Sequence, residues 1–213
     1  MDSILDSLLV VVLVLNLFAL GTSRIQSVIR IVALQGVLLG AMPLLAHLVE
    51  PASIGIALLA IMLKGVIIPG MLSRALRDAT IKKEVEPLVG TLPSIILGAI
   101  GTGFAIIFSA QLPLADVHQA ARLVVPASLS TVLVGFILLI TRYKAITQVI
   151  GYLVLENGIF IFGLLLVESM PLVVEMGVLL DLFVGIFVIC IIVNHINRAF
   201  SSLDTRQLAN LKE

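Results

Sequence analysis

The sequence predicts an all-α integral membrane protein with seven transmembrane helices, and two observations carry this prediction. Of the 213 residues, 60% are hydrophobic and only 12% are charged, whereas soluble domains carry about 25% charged residues. Seven apolar stretches also approach the roughly 20 residues that a helix needs to cross a bilayer. The formal net charge is zero, which argues against a nucleic-acid partner and leaves the lipid bilayer and other membrane proteins.

The seven predicted spans are separated by short joints that contain polar or turn residues. The first span begins after Asp2, where an export signal would carry Lys or Arg instead, so we interpret it as a membrane helix. The predicted spans are Ile4–Gly21, Ile25–Leu48, Ser53–Leu72, Leu92–Ala110, Leu123–Ile140, Ala145–Leu166 and Leu172–Asn194.

The basic residues predict the orientation of these spans, because short cytoplasmic joints hold an excess of Lys and Arg. Alternate joints and the C-terminal tail contain most of them: Arg24, Arg30, Arg74, Arg77, Lys82, Lys83, Arg142, Lys144, Arg198, Arg206 and Lys212. The other joints hold Arg122 together with Glu50, Asp116 and Glu168. We therefore expect the N-terminus outside and the C-terminus in the cytoplasm.

Three charged residues lie far from both ends of their predicted spans, namely Lys64, Glu156 and Asp181. Each would cost about 2.5–3.5 kcal/mol at the centre of an isolated membrane helix, so such residues are usually buried, paired and functional. Their distances from the predicted ends of their spans place all three near the middle of the bilayer. The sequence thus predicts one layer of ionisable groups, in which Lys64 pairs with Glu156 or with Asp181.

Three further residues extend this layer towards the cytoplasmic edge. Gln148, Tyr152 and Glu156 are spaced by four residues and therefore share one helix face, while His195 follows Asp181 by almost four turns. We expect this set to relay protons. The alternative is a static ion pair that only holds helices together. Two carboxylates against one ammonium favour the relay, because the extra acid has no structural purpose.

The single cysteine, Cys190, lies in an apolar run, so the chain cannot form a thiolate metal site by itself. We expect no catalytic centre, no metal and no cofactor in this chain. Any redox centre would then belong to partner subunits.

The sequence resembles the hydrogenase-4 component E family in three places. They are the run Gly151–Gly158, with Leu-Glu-Asn-Gly at its end, the stretch from Val173 to Asp181, and the tail from Leu203 to Lys212. The resemblance implies a membrane subunit of a complex I-like group 4 hydrogenase, as in formate hydrogenlyase, in the cytoplasmic membrane of a bacterium or archaeon. It also implies antiporter-like partner subunits, which would be accompanied by others that hold nickel–iron and iron–sulfur centres.

Within that resemblance, the chain divides into a four-helix region (1–110), a three-helix region (111–196) and a cytoplasmic tail (197–213). The three-helix region is similar to subunit K of respiratory complex I, in which two successive helices carry membrane carboxylates. Glu156 and Asp181 would occupy those positions, although Asp181 is shorter and lies closer to Glu156 than in subunit K. The expected function is proton or ion translocation coupled to electron transfer in partner subunits. The alternative is a structural spacer that docks antiporter-like subunits.

Overall fold

The structure, a computed structural model, describes residues 2–45, 55, 57–58, 60–78, 88–112, 123–142, 144–164 and 191. Throughout these ranges the regular elements are helical. The six α-helices are α1 (Asp2–Gly21), α2 (Ile25–Leu45), α3 (Ile68–Asp78), α4 (Thr91–Gln111), α5 (Val124–Thr141) and α6 (Ala145–Gly163). A π-helical segment, Ile61–Ile67, leads directly into α3.

Five of these helices are long and apolar enough to cross a membrane, which confirms the prediction of a helical membrane protein. They are α1, α2, α4, α5 and α6. The first and last residues of these five helices lie within three residues of the ends of the corresponding predicted spans. The predicted seventh span, Leu172–Asn194, and the tail from residue 197 lie outside the described residues, apart from helical Ile191. Seven spans therefore stay a prediction.

The third predicted span differs in form from the expectation. Its described part includes helical residues at 55, 57–58 and 60 and then a π-helical turn. This turn is followed by α3, which continues six residues beyond the predicted end at Leu72. The extension is amphipathic: Leu72, Ala75 and Leu76 are buried, while Arg74 and Arg77 are exposed. Hydropathy detects the apolar part of such a helix, whereas the helix itself ends only at Asp78.

Short turns make neighbouring helices antiparallel, and small residues allow them to approach closely. Residues 22–24 join α1 to α2, and residues 142–144 join α5 to α6. At Gly135 on α5, a Cβ atom would lie only 2.5 Å from the backbone nitrogen of Leu155 on α6. Such contact between backbones is typical of membrane helices packed through small residues.

Two clusters of buried apolar side chains form the core, one towards each end of the bundle. One cluster includes Leu20 on α1, Val28 on α2 and Leu138 on α5. The other includes Leu9 on α1 and Met42 on α2. Along each of these helices, buried polar side chains separate the residues of one cluster from those of the other. They are Asn16, Gln35, Ser128, Ser130, Thr131, Glu156 and Asn157, and with Lys64 they are called the polar layer below.

Basic residues gather at one end of the described bundle. Arg24 lies in the α1–α2 turn, and Arg142 and Lys144 lie in the α5–α6 turn. The two turns are neighbours, because the Arg142 guanidinium Nη2 donates a hydrogen bond of 3.0 Å to the carbonyl oxygen of Leu20 at the end of α1. The predicted orientation depends on this excess of Arg and Lys at one end. The side of the membrane that each end faces stays a prediction.

Candidate functional site

An ion pair between two helical segments lies at the centre of the polar layer. The Nζ atom of Lys64, in the π-helical segment, is 3.2 Å from Oε1 of Glu156 on α6, and the two side chains are only 10% and 7% exposed. Glu156 follows the start of α6 at Ala145 by eleven residues, which at 1.5 Å per residue is about half of a bilayer core. Of the two pairings that the sequence left open, the structure contains Lys64 with Glu156.

The local sequence explains why Lys64 lies in a π-helical turn. Pro69 has no backbone N–H and its ring opposes a regular helix across the preceding turn. The chain responds by widening its register before the proline, and the N–H of Ile68 donates to the carbonyl of Leu63, five residues earlier. Widened turns of this kind frequently occur at functional sites. Pro69 in the sequence indicates a disturbed helix here, but not its π register.

A glycine on α2 lets the Lys64 segment approach closely. A Cβ atom built on Gly36 would lie 2.8 Å from Cβ of Lys64 and 3.0 Å from its carbonyl carbon and oxygen. Real Cβ atoms do not come so near, so any other residue at position 36 would push Lys64 away. Gly36 therefore sets the distance between the Lys64 backbone and α2, and through it the reach of the ammonium towards α6.

The ammonium of Lys64 is held by an aromatic ring as well as by the carboxylate. Its Nζ lies 5.0 Å from the ring centroid of Phe160, which is within the range of a cation–π interaction. Phe160 follows Glu156 by four residues, so one face of α6 presents both partners. Beside them is a cavity of about 10 Å³, lined by Val32, Lys64, Ile68, Leu153 and Asn157, which is about the size of one water position.

This arrangement can hold, lose or gain charge inside a medium that disfavours single charges. Together the ammonium and the carboxylate are neutral as a pair, and each lowers the desolvation penalty of the other. If a proton reached the carboxylate, its attraction for the ammonium would disappear, while the cation–π contact with the Phe160 ring would remain. The small cavity beside the pair is lined mostly by apolar side chains, and Asn157 is its polar member besides Lys64.

The other residues predicted for the relay have different environments. Gln148 and Tyr152 are on α6 as expected, but both are exposed on the described bundle, unlike Glu156. The Gln148 side-chain amide donates to the carbonyl of Arg142 at 3.2 Å, so it turns back towards the α5–α6 turn. Asp181 and His195 lie outside the described residues. Their place in the relay stays a prediction.

A second, uncharged cluster in the polar layer was missed by the sequence interpretation. Asn16 on α1 donates to the Thr131 hydroxyl on α5 at 2.8 Å, and its Oδ1 accepts from the Gln35 amide on α2 at 2.8 Å. Thr131 in turn donates to the Ala127 carbonyl. All three side chains are fully buried. The signal that could have found them is a lone amide inside an apolar helix, at Leu-Asn-Leu and Leu-Gln-Gly.

Near the basic end, Arg142 is almost fully buried although it lies outside the membrane-spanning stretch of α5. Burial lowers the pKa of its guanidinium, because desolvation disfavours the charged form. Its Nη2 satisfies a carbonyl at the C-terminus of α1, where positive charge is favourable. Arg142 therefore joins the ends of α1 and α5. The sequence interpretation used Arg142 only to predict the orientation and did not predict this contact.

Among the described residues, no three His, Cys, Asp or Glu side chains are grouped closely enough to hold a metal ion. The ionisable pair, the neutral cluster and the five long apolar helices instead define a class: a multi-pass helical membrane protein with a charge pair buried between its helices.

Comparison with known proteins places this chain in a family. It is 32% identical over 197 residues to the uncharacterized protein Rv0085 of Mycobacterium tuberculosis, covering 89% of this chain and 87% of that protein. The chain therefore belongs to the family of Rv0085. No family model matches the chain, and no solved structure matches it either.

A more distant similarity points in the direction of the resemblance noted in the sequence. The chain is 24% identical over 155 residues to hydrogenase-4 component E of Escherichia coli, covering 72% of this chain and 70% of that protein. The same identity and coverage are found with hydrogenase-4 component E of Shigella flexneri.

Proposed function

We propose that this chain is a membrane subunit of a complex I-like group 4 hydrogenase, and that Lys64 and Glu156 take part in moving protons through it. The observation that carries the proposal is the Lys64–Glu156 contact of 3.2 Å within the polar layer. The similarity to hydrogenase-4 component E supports the choice of complex. The electron chemistry, with its nickel–iron and iron–sulfur centres, belongs in this proposal to partner subunits.

The proposed mechanism uses the pair as a switchable charge. While Glu156 is ionised, it holds the Lys64 ammonium between its own oxygen and the Phe160 ring. A proton delivered to Glu156 releases the ammonium, whose charge then acts on neighbouring membrane subunits of the antiporter-like kind. Asp181, on the proposed seventh helix, is the second carboxylate and receives the charge or the proton next. Gln148, Tyr152 and His195 connect the layer with the cytoplasmic side.

The remaining parts of the proposal follow from the same picture. The chain would have seven spans, with its N-terminus outside and its C-terminus in the cytoplasm of a bacterium or archaeon. The region 111–196 would correspond to subunit K of complex I, and the tail 197–213 would lie against a partner at the cytoplasmic face. The rival function is a spacer, in which the same ion pair only fixes the docking of neighbouring subunits.

Membership of a hydrogenase complex is tested by purification from the native membrane. An affinity-tagged chain should bring down subunits with nickel and iron–sulfur centres, and the preparation should oxidise hydrogen with an oxidised artificial dye or evolve hydrogen with a reduced one. Isolation of the chain without such subunits, from cells that make an active hydrogenase, would contradict the proposal.

The relay and the spacer are separated by Glu156→Gln, which keeps the side-chain volume but cannot exchange a proton. For a relay, the assembled complex keeps its dye-linked hydrogenase activity while proton translocation into closed vesicles is lost. Asp181→Asn should act in the same direction. Unchanged translocation by assembled Glu156→Gln complex would leave the spacer as the function.

A further inference from the structure

A groove on the surface of the bundle crosses the boundary between the apolar part of α1 and the turn that follows it. The groove has a volume of about 610 Å³ and is open to the outside. Its apolar wall is formed by Val14, Leu17 and Phe18 on α1 and by Ile95 on α4. Its other end is formed by Thr22, Ser23 and Arg24.

The position of the groove matches the edge of a bilayer. The membrane-spanning stretch of α1 ends at Gly21, so the apolar wall lies inside the span and the three polar residues lie just beyond it. From Val14 to Gly21 the helix rises by about 10 Å. An occupant of this groove must therefore be apolar over about 10 Å and polar at the level where lipid headgroups lie.

The polar end of the groove has the chemistry of an anion site. Arg24 is exposed and is the charged residue among those that line the groove. The Thr22 hydroxyl oxygen accepts a hydrogen bond of 3.4 Å from the backbone N–H of Arg24, which leaves its own O–H able to donate outwards. Ser23 adds a second hydroxyl beside it, and this residue is exposed. Guanidinium and hydroxyl donors together are the groups that bind phosphate.

We propose that this groove binds an anionic phospholipid, with its phosphate at Arg24, Thr22 and Ser23 and an acyl chain along Val14, Phe18 and Ile95. Basic pockets between membrane helices are known sites for anionic headgroups. This inference is independent of the hydrogenase proposal.

Native mass spectrometry of the full-length protein in detergent tests the proposal directly. The protein is mixed with equal amounts of phosphatidylglycerol and phosphatidylcholine that have identical acyl chains. We expect preferential retention of phosphatidylglycerol. Arg24→Gln should lower that retention about fivefold, the effect of one basic residue near an anionic surface, whereas Arg24→Lys should keep most of it.

Arg30→Gln is the matched control. Arg30 is also an exposed arginine and lies near the start of α2, close in sequence to Arg24, but it does not line the groove. It should retain phosphatidylglycerol as the unmodified protein does. Equal retention of both lipids, or equal losses in Arg24→Gln and Arg30→Gln, would overturn the proposal. Absence of bound phosphatidylglycerol when the protein is purified with a membrane partner seated on this face would also overturn it, since a protein would then occupy the groove.

Discussion

The polar layer has a neutral half and an ionic half, and the two halves satisfy buried polar groups in different ways. On one side of α2, Gln35 joins Asn16 and Thr131 through neutral hydrogen bonds. Next to it in sequence, Gly36 faces Lys64, whose ammonium pairs with Glu156. Neutral amides and hydroxyls in a membrane gain little from each bond and have no charge to change. The ionic half is expensive to bury and can change its charge, which is why the proposed function uses it and not the neutral half.

The largest expected effect is that of Lys64→Met. It leaves the Glu156 carboxylate buried without its ammonium, and removing one member of a buried pair costs about 3 kcal/mol or more. SDS-induced unfolding of the purified protein, followed by circular dichroism, would measure the loss. The double variant Lys64→Met with Glu156→Gln should recover much of it, because no lone charge remains. A double variant as unstable as Lys64→Met would mean that the two side chains are not energetically coupled.

A smaller effect is expected for Gly36→Ala, which leaves both charges in place. The added methyl would lie 2.8 Å from Cβ of Lys64, and overpacking of this kind costs about 2 kcal/mol. The matched control is Gly70→Ala on α3, where a Cβ would meet nothing within 4 Å. In the same unfolding assay the control should match or exceed the stability of the native protein. Equal stability of the two alanine variants would contradict the close contact between α2 and the Lys64 segment.

The neutral half is tested by Thr131→Val, which preserves side-chain shape. The change removes the acceptor for Asn16 Nδ2 and the donor to the Ala127 carbonyl. We expect a loss of about 1 kcal/mol, as for a buried amide left without its partner. Proton translocation per assembled complex should not change. A translocation defect as large as that of Glu156→Gln would erase the distinction between the two halves.

The smallest effect is expected for Thr102→Val, at the edge of the neutral half. The Thr102 and Ser130 hydroxyls are 2.7 Å apart and join α4 to α5, but Thr102 also bonds the Gly98 carbonyl within its own helix. Hydrogen bonds between membrane helices average about 0.6 kcal/mol, and we expect a loss of that size. A loss greater than that of Thr131→Val would show that the α4 contact, not the Asn16 cluster, stabilises the layer.

Hydropathy and charge predicted much of the fold, because membrane-spanning stretches and charges within them are conspicuous in a sequence. Glu156 was predicted in this way near the middle of its span, and the bounds of α6 give the same depth, while its role stays a prediction. The partner of Lys64 was left open between two acids, since a residue on one helix can face several neighbours. Only packing, through Gly36 and the π-helical turn, determines that Lys64 reaches α6.

The sequence interpretation missed those groups whose role depends on three-dimensional neighbours. Asn16 and Gln35 are uncharged polar residues, which are not conspicuous in a sequence. Their structural role follows from their complete burial between helices. Gln148 and Tyr152 show how much helical spacing alone can tell. Their spacing places them near Glu156 along α6, but they are exposed while Glu156 is buried. Helical spacing gives a shared face approximately, and the neighbouring helix decides where that face becomes covered.

The most direct test of the central claim is whether the Glu156 carboxyl exchanges its proton while the neutral cluster stays unchanged. Infrared difference spectra of the protein in lipid, recorded as the pH is changed, report protonated carboxyl groups separately from carboxylates. We predict a carboxyl band in the native protein and in Thr131→Val that is missing from Glu156→Gln. Identical pH-difference spectra for the native protein and Glu156→Gln would contradict the claim and make the Lys64–Glu156 pair a static ion pair.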